Sequence, residues 1–168
     1  MTPLDDVGSL PTVLGPKDGD ILGDAEGVLD RFMVEGDRTA GRFALVEHRL
    51  APRALAAPLH FHTKEDEYSF ILEGDVGAYL GGTELVAHAG DLVAKPRGQW
   101  HTFWNAGEST ARVLEIISPA GLEELFRLLD TSPDSYEPEK LTALAEAYGA
   151  KVDFDGTLPI IERYGLRF

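Results

Sequence analysis

Short apolar runs alternate with turn residues from residue 28 to residue 118. The runs are VLDRFMV (28–34), RFALVEHRL (42–50), EYSFILEG (67–74), VGAYL (76–80), TELVAH (83–88), DLVAK (91–95), QWHTFWN (99–105) and ARVLEIIS (111–118). Runs of this length and composition are typical of β-strands, and their regular spacing is typical of an all-β sandwich or barrel. Gly81-Gly82 fits the two-residue connection of a hairpin. The pattern predicts an all-β fold with largely antiparallel strands.

The periodicity changes after Ser118, where apolar residues recur at helical spacing. The residues on one face of the first predicted helix are Leu122, Leu125, Phe126 and Leu129. Ser118 is the expected N-cap of this helix, and Pro119 occupies its first position. A second helix is predicted over residues 139–148, with Gly149 ending it. We expect these helices to close one side of the barrel.

The length of 168 residues suits a single domain. We divide it into an irregular N-terminal arm (1–26), a β-barrel core (27–118) and a helical C-terminal extension (119–168). The 29 acidic and 15 basic side chains give a net charge of -14, which disfavours nucleic acid and anionic membranes as partners. The absence of cysteine excludes disulfides and thiolate ligands. No secretory signal pattern is evident at the N-terminus, so a cytoplasmic protein is expected.

Four residues are candidates for metal ligands. His60 and His62 are two positions apart, so in a strand both side chains point to the same face. A His-x-His pair alone is more often two solvated histidines than a metal site. Glu67 opens a buried apolar run and therefore needs a compensating partner or a cation. His101 lies in a mostly apolar strand, where a hydrogen-bonded structural histidine is the alternative to a ligand.

These residues also fit two longer spacing patterns. The first is His60-x-His62, four residues, Glu67, six residues, Gly74, and the second is Gly90, five residues, Pro96, one residue, Gly98, two residues, His101, three residues, Asn105. Together they resemble the two sequence motifs of the cupin superfamily, over roughly residues 40–118. One position departs from the family pattern, because Ala54 stands where a glycine usually precedes the first histidine by six residues.

The resemblance implies a double-stranded β-helix of two antiparallel sheets that holds a metal with His60, His62, Glu67 and His101. It places the first three ligands on one hairpin and His101 on a strand facing it. Three imidazoles and one carboxylate suit one divalent ion of Fe, Mn, Ni, Co, Cu or Zn. Up to two coordination positions would remain for water, substrate or dioxygen.

Strand parity predicts which side chains surround this site. Ser69 and Ile71 share the face of Glu67, and Gln99 and Phe103 share the face of His101, so all four are candidate substrate-binding residues. For Ile71 and Phe103, plain barrel packing is an equal alternative. His48 is a further candidate for substrate binding or acid–base chemistry, with a hydrogen-bonded structural role as its alternative.

Strand parity also predicts which side chains point away from the site. The residues predicted to face outward are Tyr68, Phe70, Leu72, Trp100 and Trp104. We expect the C-terminal helices or the second subunit of a homodimer to cover the large apolar ones among them. Asn105 is interpreted as a turn or supporting residue, and residues 64–66 as a solvated turn.

Three functions remain open at this point. The resemblance to quercetin dioxygenase-like cupins implies a dioxygenase acting on a small organic molecule, with Glu67 transferring a proton. A non-redox metal-dependent isomerase, cyclase, decarboxylase or lyase is the second hypothesis. A non-catalytic binder of small molecules is the third.

Overall fold

The computed structural model describes residues 13–168, and within them it contains two antiparallel β-sheets and three α-helices. The strands are β1 (Asp20–Gly23), β2 (Val28–Val34), β3 (Ala44–Leu50), β4 (Leu59–His62), β5 (Asp66–Glu73), β6 (Asp75–Leu80), β7 (Thr83–His88), β8 (Leu92–Lys95), β9 (His101–Asn105), β10 (Ala111–Ser118) and β11 (Ala150–Asp153). The helices are α1 (Glu123–Thr131), α2 (Pro138–Ala147) and α3 (Phe154–Tyr164). Short 3-10 turns span Gly36–Thr39 and Pro133–Tyr136.

The first sheet has the strand order β1-β2-β3-β10-β5-β8, and the second has the order β11-β4-β9-β6-β7. The predicted all-β fold of two antiparallel sheets with a C-terminal helical extension is therefore confirmed. The predicted hairpin at Gly81-Gly82 is also present, because β6 and β7 pair up to Leu80 and Thr83 on either side of it. In the described residues, no helix is long and apolar enough to cross a bilayer.

Polar side chains lie between two apolar clusters inside the barrel. The first cluster includes Leu50 and Val113, and the second includes Val46 and Ile117. Because side chains on one face of a strand recur every two residues, the position between the two clusters also points inward on each strand. His48 on β3 occupies this position. The buried polar side chains of the barrel interior therefore lie at the level between the two apolar clusters.

The helical extension differs from its prediction at the start and at the end. Strand β10 continues to Ser118, which pairs with Asp66, so Ser118 is not a helix cap and α1 begins only at Glu123. The second predicted helix is confirmed as α2, and Gly149 follows it with a left-handed φ of 80°. Strand β11 and helix α3 were not predicted. Helix α3 begins at an N-cap, Asp153, whose side chain accepts a hydrogen bond from the backbone N–H of Gly156.

The predicted irregular arm also requires a correction. Residues 20–23 form strand β1, which pairs with β2 from Asp20↔Phe32 to Gly23↔Leu29. Tertiary pairing thus stabilises a segment whose own sequence shows little β-strand periodicity. Residues 1–12 of the predicted arm lie outside the described part of the chain.

The two tryptophans are covered in different ways. Trp104 is only 2% exposed, and its ring stacks on that of Tyr164 in α3 with centroids 4.7 Å apart. The backbone of Gly77 also lies against the indole, where an added Cβ would be 2.2 Å from the ring. Trp100 precedes β9 and contacts the ring of Phe61. The predicted cover by the C-terminal helices is therefore confirmed for Trp104.

Candidate metal centre

Three histidines and one glutamate converge inside the barrel. One donor atom from each of His60, His62, Glu67 and His101 lies within 4.8 Å of those from the other three. Strands β4 and β9 are neighbours in the second sheet and pair at His60↔His101, so three imidazoles come from adjacent strands. Glu67 reaches them from β5 in the opposite sheet. The implied placement of Glu67 on a hairpin with the first two histidines is therefore wrong, because the chain crosses between the sheets after β4.

Backbone carbonyls orient two of the imidazoles. The Nδ1–H of His60 donates to the carbonyl oxygen of Pro58 at 2.6 Å, and the Nδ1–H of His101 donates to that of Gln99 at 2.9 Å. The Nε2 atom of each ring is thereby left as the potential ligand atom. On the opposite sheet, Glu67 Oε2 lies 3.1 Å from His101 Nε2 and 3.3 Å from His62 Nε2.

The donor set fits a divalent transition-metal ion. Among the described residues, neither ring nitrogen of His62 has a hydrogen-bond partner, although both are buried. A buried polar atom without a partner costs about 1–3 kcal/mol, and an ion at the centre of the cluster would satisfy one of these nitrogens. Imidazole and carboxylate ligands lie about 2.0–2.2 Å from such an ion. The 3.1 and 3.3 Å separations of Glu67 Oε2 from the Nε2 atoms of His101 and His62 suit ligands that share one ion. The chemistry of the donors does not select one metal.

The electrostatic environment favours the protonation states that bind metal. Burial, together with the neighbouring His101 and His62, holds the pKa of His60 well below its ordinary value. Burial alone would raise the pKa of Glu67, but the positive charge of Lys95 and the histidine contacts outweigh it and hold that pKa well below its ordinary value. The cluster therefore presents a neutral imidazole and an ionised carboxylate.

A buried ion pair supports the carboxylate of Glu67. Lys95 is 2% exposed, and its Nζ lies 2.9 Å from Glu115 Oε2 and 3.4 Å from Glu67 Oε2. The hydroxyl of Ser69 donates to the same Glu115 oxygen at 2.8 Å. Neither Lys95 nor Glu115 was predicted as a site residue. Strand parity could have predicted that both side chains point inward. Lys95 lies two positions from the buried Val93, and Glu115 lies two positions from the buried Val113.

A cavity of about 90 Å³ adjoins the cluster. Its lining includes the ligand candidates His60 and Glu67, the polar residues Asp30, His48, Glu115, Asp130 and Tyr136, and the apolar residues Phe103, Phe126, Leu129 and Leu141. A wider cleft of about 480 Å³ shares Asp130, Tyr136 and Phe168 with this cavity. The shared residues indicate a route from the surface to the cluster.

The five candidate substrate-binding residues have different locations. Phe103 and His48 line the cavity. Ile71 is fully buried in an apolar cluster, and the hydroxyl of Ser69 donates a hydrogen bond to Glu115.

Gln99 lies outside the strand that was used to predict its direction. It precedes β9, so strand parity does not apply to it. Its side chain lies against Gly81, where an added Cβ would be 3.0 Å from Gln99 Nε2. The contribution of Gln99 to the cluster is the carbonyl that holds His101. Substrate contact by any of the five stays a prediction.

The turn before β5 is less solvated than expected. Glu65 is 4% exposed and lies near His62, so its assignment to a solvated turn is wrong. Asp66 forms an exposed ion pair with Arg97, whose Nη2 lies 2.7 Å away. The supporting role of Asn105 is confirmed, because its amide donates to the carbonyls of Leu50 and Ser109.

Comparison with known proteins finds similar sequences over part of their length. Residues 46–117 match a family model described as a cupin domain. The tetracenomycin polyketide synthase protein TcmJ of Streptomyces glaucescens is 31% identical over 74 residues, which cover 44% of this chain and 50% of that protein. Quercetin 2,3-dioxygenase of Bacillus subtilis is 28% identical over 162 residues, which cover 95% of this chain and 44% of that protein. The chain thus spans half or less of the length of these relatives.

A solved structure agrees at the level of the fold. An RmlC-like cupin from Shewanella frigidimarina superposes with a TM-score of 0.57 at 16% identity, covering 68% of this chain and 96% of that one. The two antiparallel sheets, the spacing of both motifs and the matching family model lead to one assignment: residues 46–117 of this chain form a cupin domain.

Proposed function

We propose that the chain is a metal-dependent dioxygenase of the quercetinase-like type, acting on a small hydroxylated aromatic or enolic molecule. The observation that carries the proposal is the alignment with a quercetin 2,3-dioxygenase over 95% of this chain, at 28% identity. That alignment reaches beyond the barrel into the helical extension. The cluster of three histidines and one glutamate supplies the ligand set that such an activity requires.

In the proposed reaction, a bound ion and the surrounding side chains have separate roles. When bound, a redox-active divalent ion supplies open coordination positions for substrate and dioxygen. Glu67 lies at the edge of the cavity as an ionised carboxylate and can accept the proton of a substrate hydroxyl. Lys95 Nζ lies 3.4 Å from Glu67 Oε2 and compensates the negative charge of this carboxylate. Phe103 and Phe126 give part of the cavity wall an apolar surface, which limits the access of water to that side.

Metal analysis combined with oxygen uptake tests the proposal. The purified protein should contain about one transition-metal ion per chain. It should consume dioxygen with at least one member of a panel of flavonols, diketones and catechols. The double variant His60→Ala/His101→Ala should lose both properties, because it removes two of the four ligand candidates. His88→Ala is the matched control, since His88 is exposed and pairs with Asp75 away from the cluster. Unchanged metal content in the double variant would contradict the proposal.

A second candidate function is a non-redox isomerase, cyclase, decarboxylase or lyase reaction of a carbonyl compound. The similarity to TcmJ, whose name refers to polyketide synthesis, favours this alternative. Turnover under argon by the Zn(II)-loaded protein would support it over a dioxygenase. A metal-loaded protein that binds members of the panel without turnover would instead support a non-catalytic binder.

A further inference from the structure

A buried histidine–carboxylate pair lies in the cavity wall on the first sheet. Asp30 on β2 and His48 on β3 face each other in register, and each is 6% exposed. Asp30 Oδ1 lies 2.6 Å from His48 Nδ1, so the carboxylate accepts a hydrogen bond from this ring nitrogen. The pair is anchored by two strands of a sheet, and the orientation of the imidazole is therefore fixed.

The other nitrogen of this ring is available to a ligand. Within residues 13–168, the nearest carboxylate oxygen recorded for His48 Nε2 is Glu115 Oε2 at 3.9 Å, which exceeds hydrogen-bonding distance. The ring lies between Phe103 and Phe126, with centroid separations of 5.9 and 5.5 Å. His48 lines the same cavity as Glu67. A molecule in the cavity can therefore contact both groups.

Charged groups on four other elements determine the protonation of His48. They are Asp30 on β2, Lys95 on β8, Glu115 on β10 and Asp130 on α1. Burial lowers the pKa of His48, but the charge and hydrogen bond of Asp30 outweigh burial and raise this pKa to about 8. Burial and the charge of Asp30 raise the pKa of Asp130 to about 7. Near neutral pH, His48 is therefore mainly an imidazolium whose Nε2–H can only donate.

We propose that the Asp30–His48 pair is a second ligand-binding group of the cavity, which donates the Nε2–H hydrogen bond to an oxygen of the substrate. This inference rests on the proposed function and narrows its substrate class. The lining combines these polar groups with the apolar side chains of Phe103, Phe126, Leu129 and Leu141, so a molecule with two oxygen atoms on an apolar or aromatic body would match both the metal cluster and His48. Hydroxylated aromatic ketones, such as flavonols, have this composition.

Anaerobic binding of quercetin to the metal-loaded protein tests the inference. His48→Gln should weaken binding roughly tenfold at pH 7, because a neutral amide replaces a charged hydrogen-bond donor. The ratio of the variant and wild-type dissociation constants should fall towards one above about pH 8, where wild-type His48 loses its proton. Taking this ratio removes the part of the pH dependence that both proteins share, including the effect of quercetin ionisation on metal binding. Asp30→Asn should shift the same pH dependence to lower pH, since it removes the charge that raises the pKa.

His88→Gln is the matched control, because His88 also pairs with an aspartate, Asp75, at 2.7 Å but is exposed and remote from the cavity. Its affinity for quercetin should equal that of the wild type. Metal content and thermal unfolding verify that each variant is folded and loaded. Equal affinities of His48→Gln and wild type at every pH would overturn the inference and leave the proposed function standing. If His48→Gln does not fold, an unshifted pH dependence in Asp30→Asn overturns it.

A different result would reject both proposals. If the wild-type, metal-loaded protein neither binds quercetin nor consumes dioxygen with any member of the panel, the proposed function fails and the inference fails with it. This outcome is recognised from the wild type alone, whereas failure of the inference by itself appears only in the comparison of variants.

Discussion

Three buried charged residues lie in contact inside the barrel. Glu67, Lys95 and Glu115 form a row in which one buried cation lies between two buried carboxylates. Transferring a charge into a protein interior costs several kcal/mol unless a partner compensates it. The row is therefore stable only as a unit. The row also keeps Glu67 in its ionised form, because the positive charge of Lys95 lowers the pKa of that carboxyl.

We expect Lys95→Met to lower the free energy of unfolding of the metal-free protein by about 3–5 kcal/mol, because two buried carboxylates lose their common partner. Urea denaturation of metal-free protein measures this change. Adding Glu115→Gln should recover part of the loss, since it removes one of the uncompensated charges. Lys151→Met, at an exposed position of β11, is the control and should change stability by less than about 0.5 kcal/mol. Equal stability of the Lys95 and Lys151 variants would contradict the prediction.

The sequence predicts those secondary-structure elements whose own residues show a clear pattern of apolar and polar positions. The strands of the core and α2 follow from alternation and helical spacing, and the exposed Tyr68 and Phe70 alternate with buried Glu67 and Ser69 as parity requires. Helix α3 contains Pro159, a residue that normally ends a helix, and β11 has four residues that pair only with β4. These two elements depend on tertiary contacts. Their local sequence therefore gives little signal.

Helix α3 provides a direct test of this dependence. Ile160 is 4% exposed and packs in one cluster with Leu55 and Trp104, so Ile160→Ala should cost about 2–4 kcal/mol of unfolding free energy. Leu158 is on the same helix but 55% exposed, and Leu158→Ala should have a small effect. Thermal or urea unfolding compares the two variants. Similar losses in both would show that α3 does not cover the barrel as described.

At the scale of the whole molecule, one outer face of the barrel stays apolar and exposed. On β5 the exposed residues are Tyr68, Phe70 and Leu72, and on the edge strand β8 Leu92 is 58% exposed. The C-terminal helices cover Trp104 in the second sheet. The earlier prediction of a homodimer thus stays a prediction, and it now concerns the outer face of β5 and β8.

Sedimentation velocity at micromolar concentration tests this homodimer. The wild type should sediment as a dimer, and Phe70→Asp/Leu92→Asp should sediment as a monomer, because burying two carboxylates in an apolar interface is unfavourable. The net charge of -14 opposes association, so added salt should strengthen the dimer. Leu128→Asp is the control, since Leu128 is exposed on α1. A wild-type monomer would refute the prediction.

The sequence by itself determined the strands, the cupin motifs and the four residues of the cluster, since spacing and parity are properties of neighbouring residues. It placed His60 and His62 on one face without reference to the rest of the chain. Only the tertiary structure decided that Glu67 approaches from the opposite sheet, that Lys95 lies between two carboxylates and that Asp30 meets His48. Those contacts join residues far apart along the chain, and they depend on which strands pair and which sheets face each other.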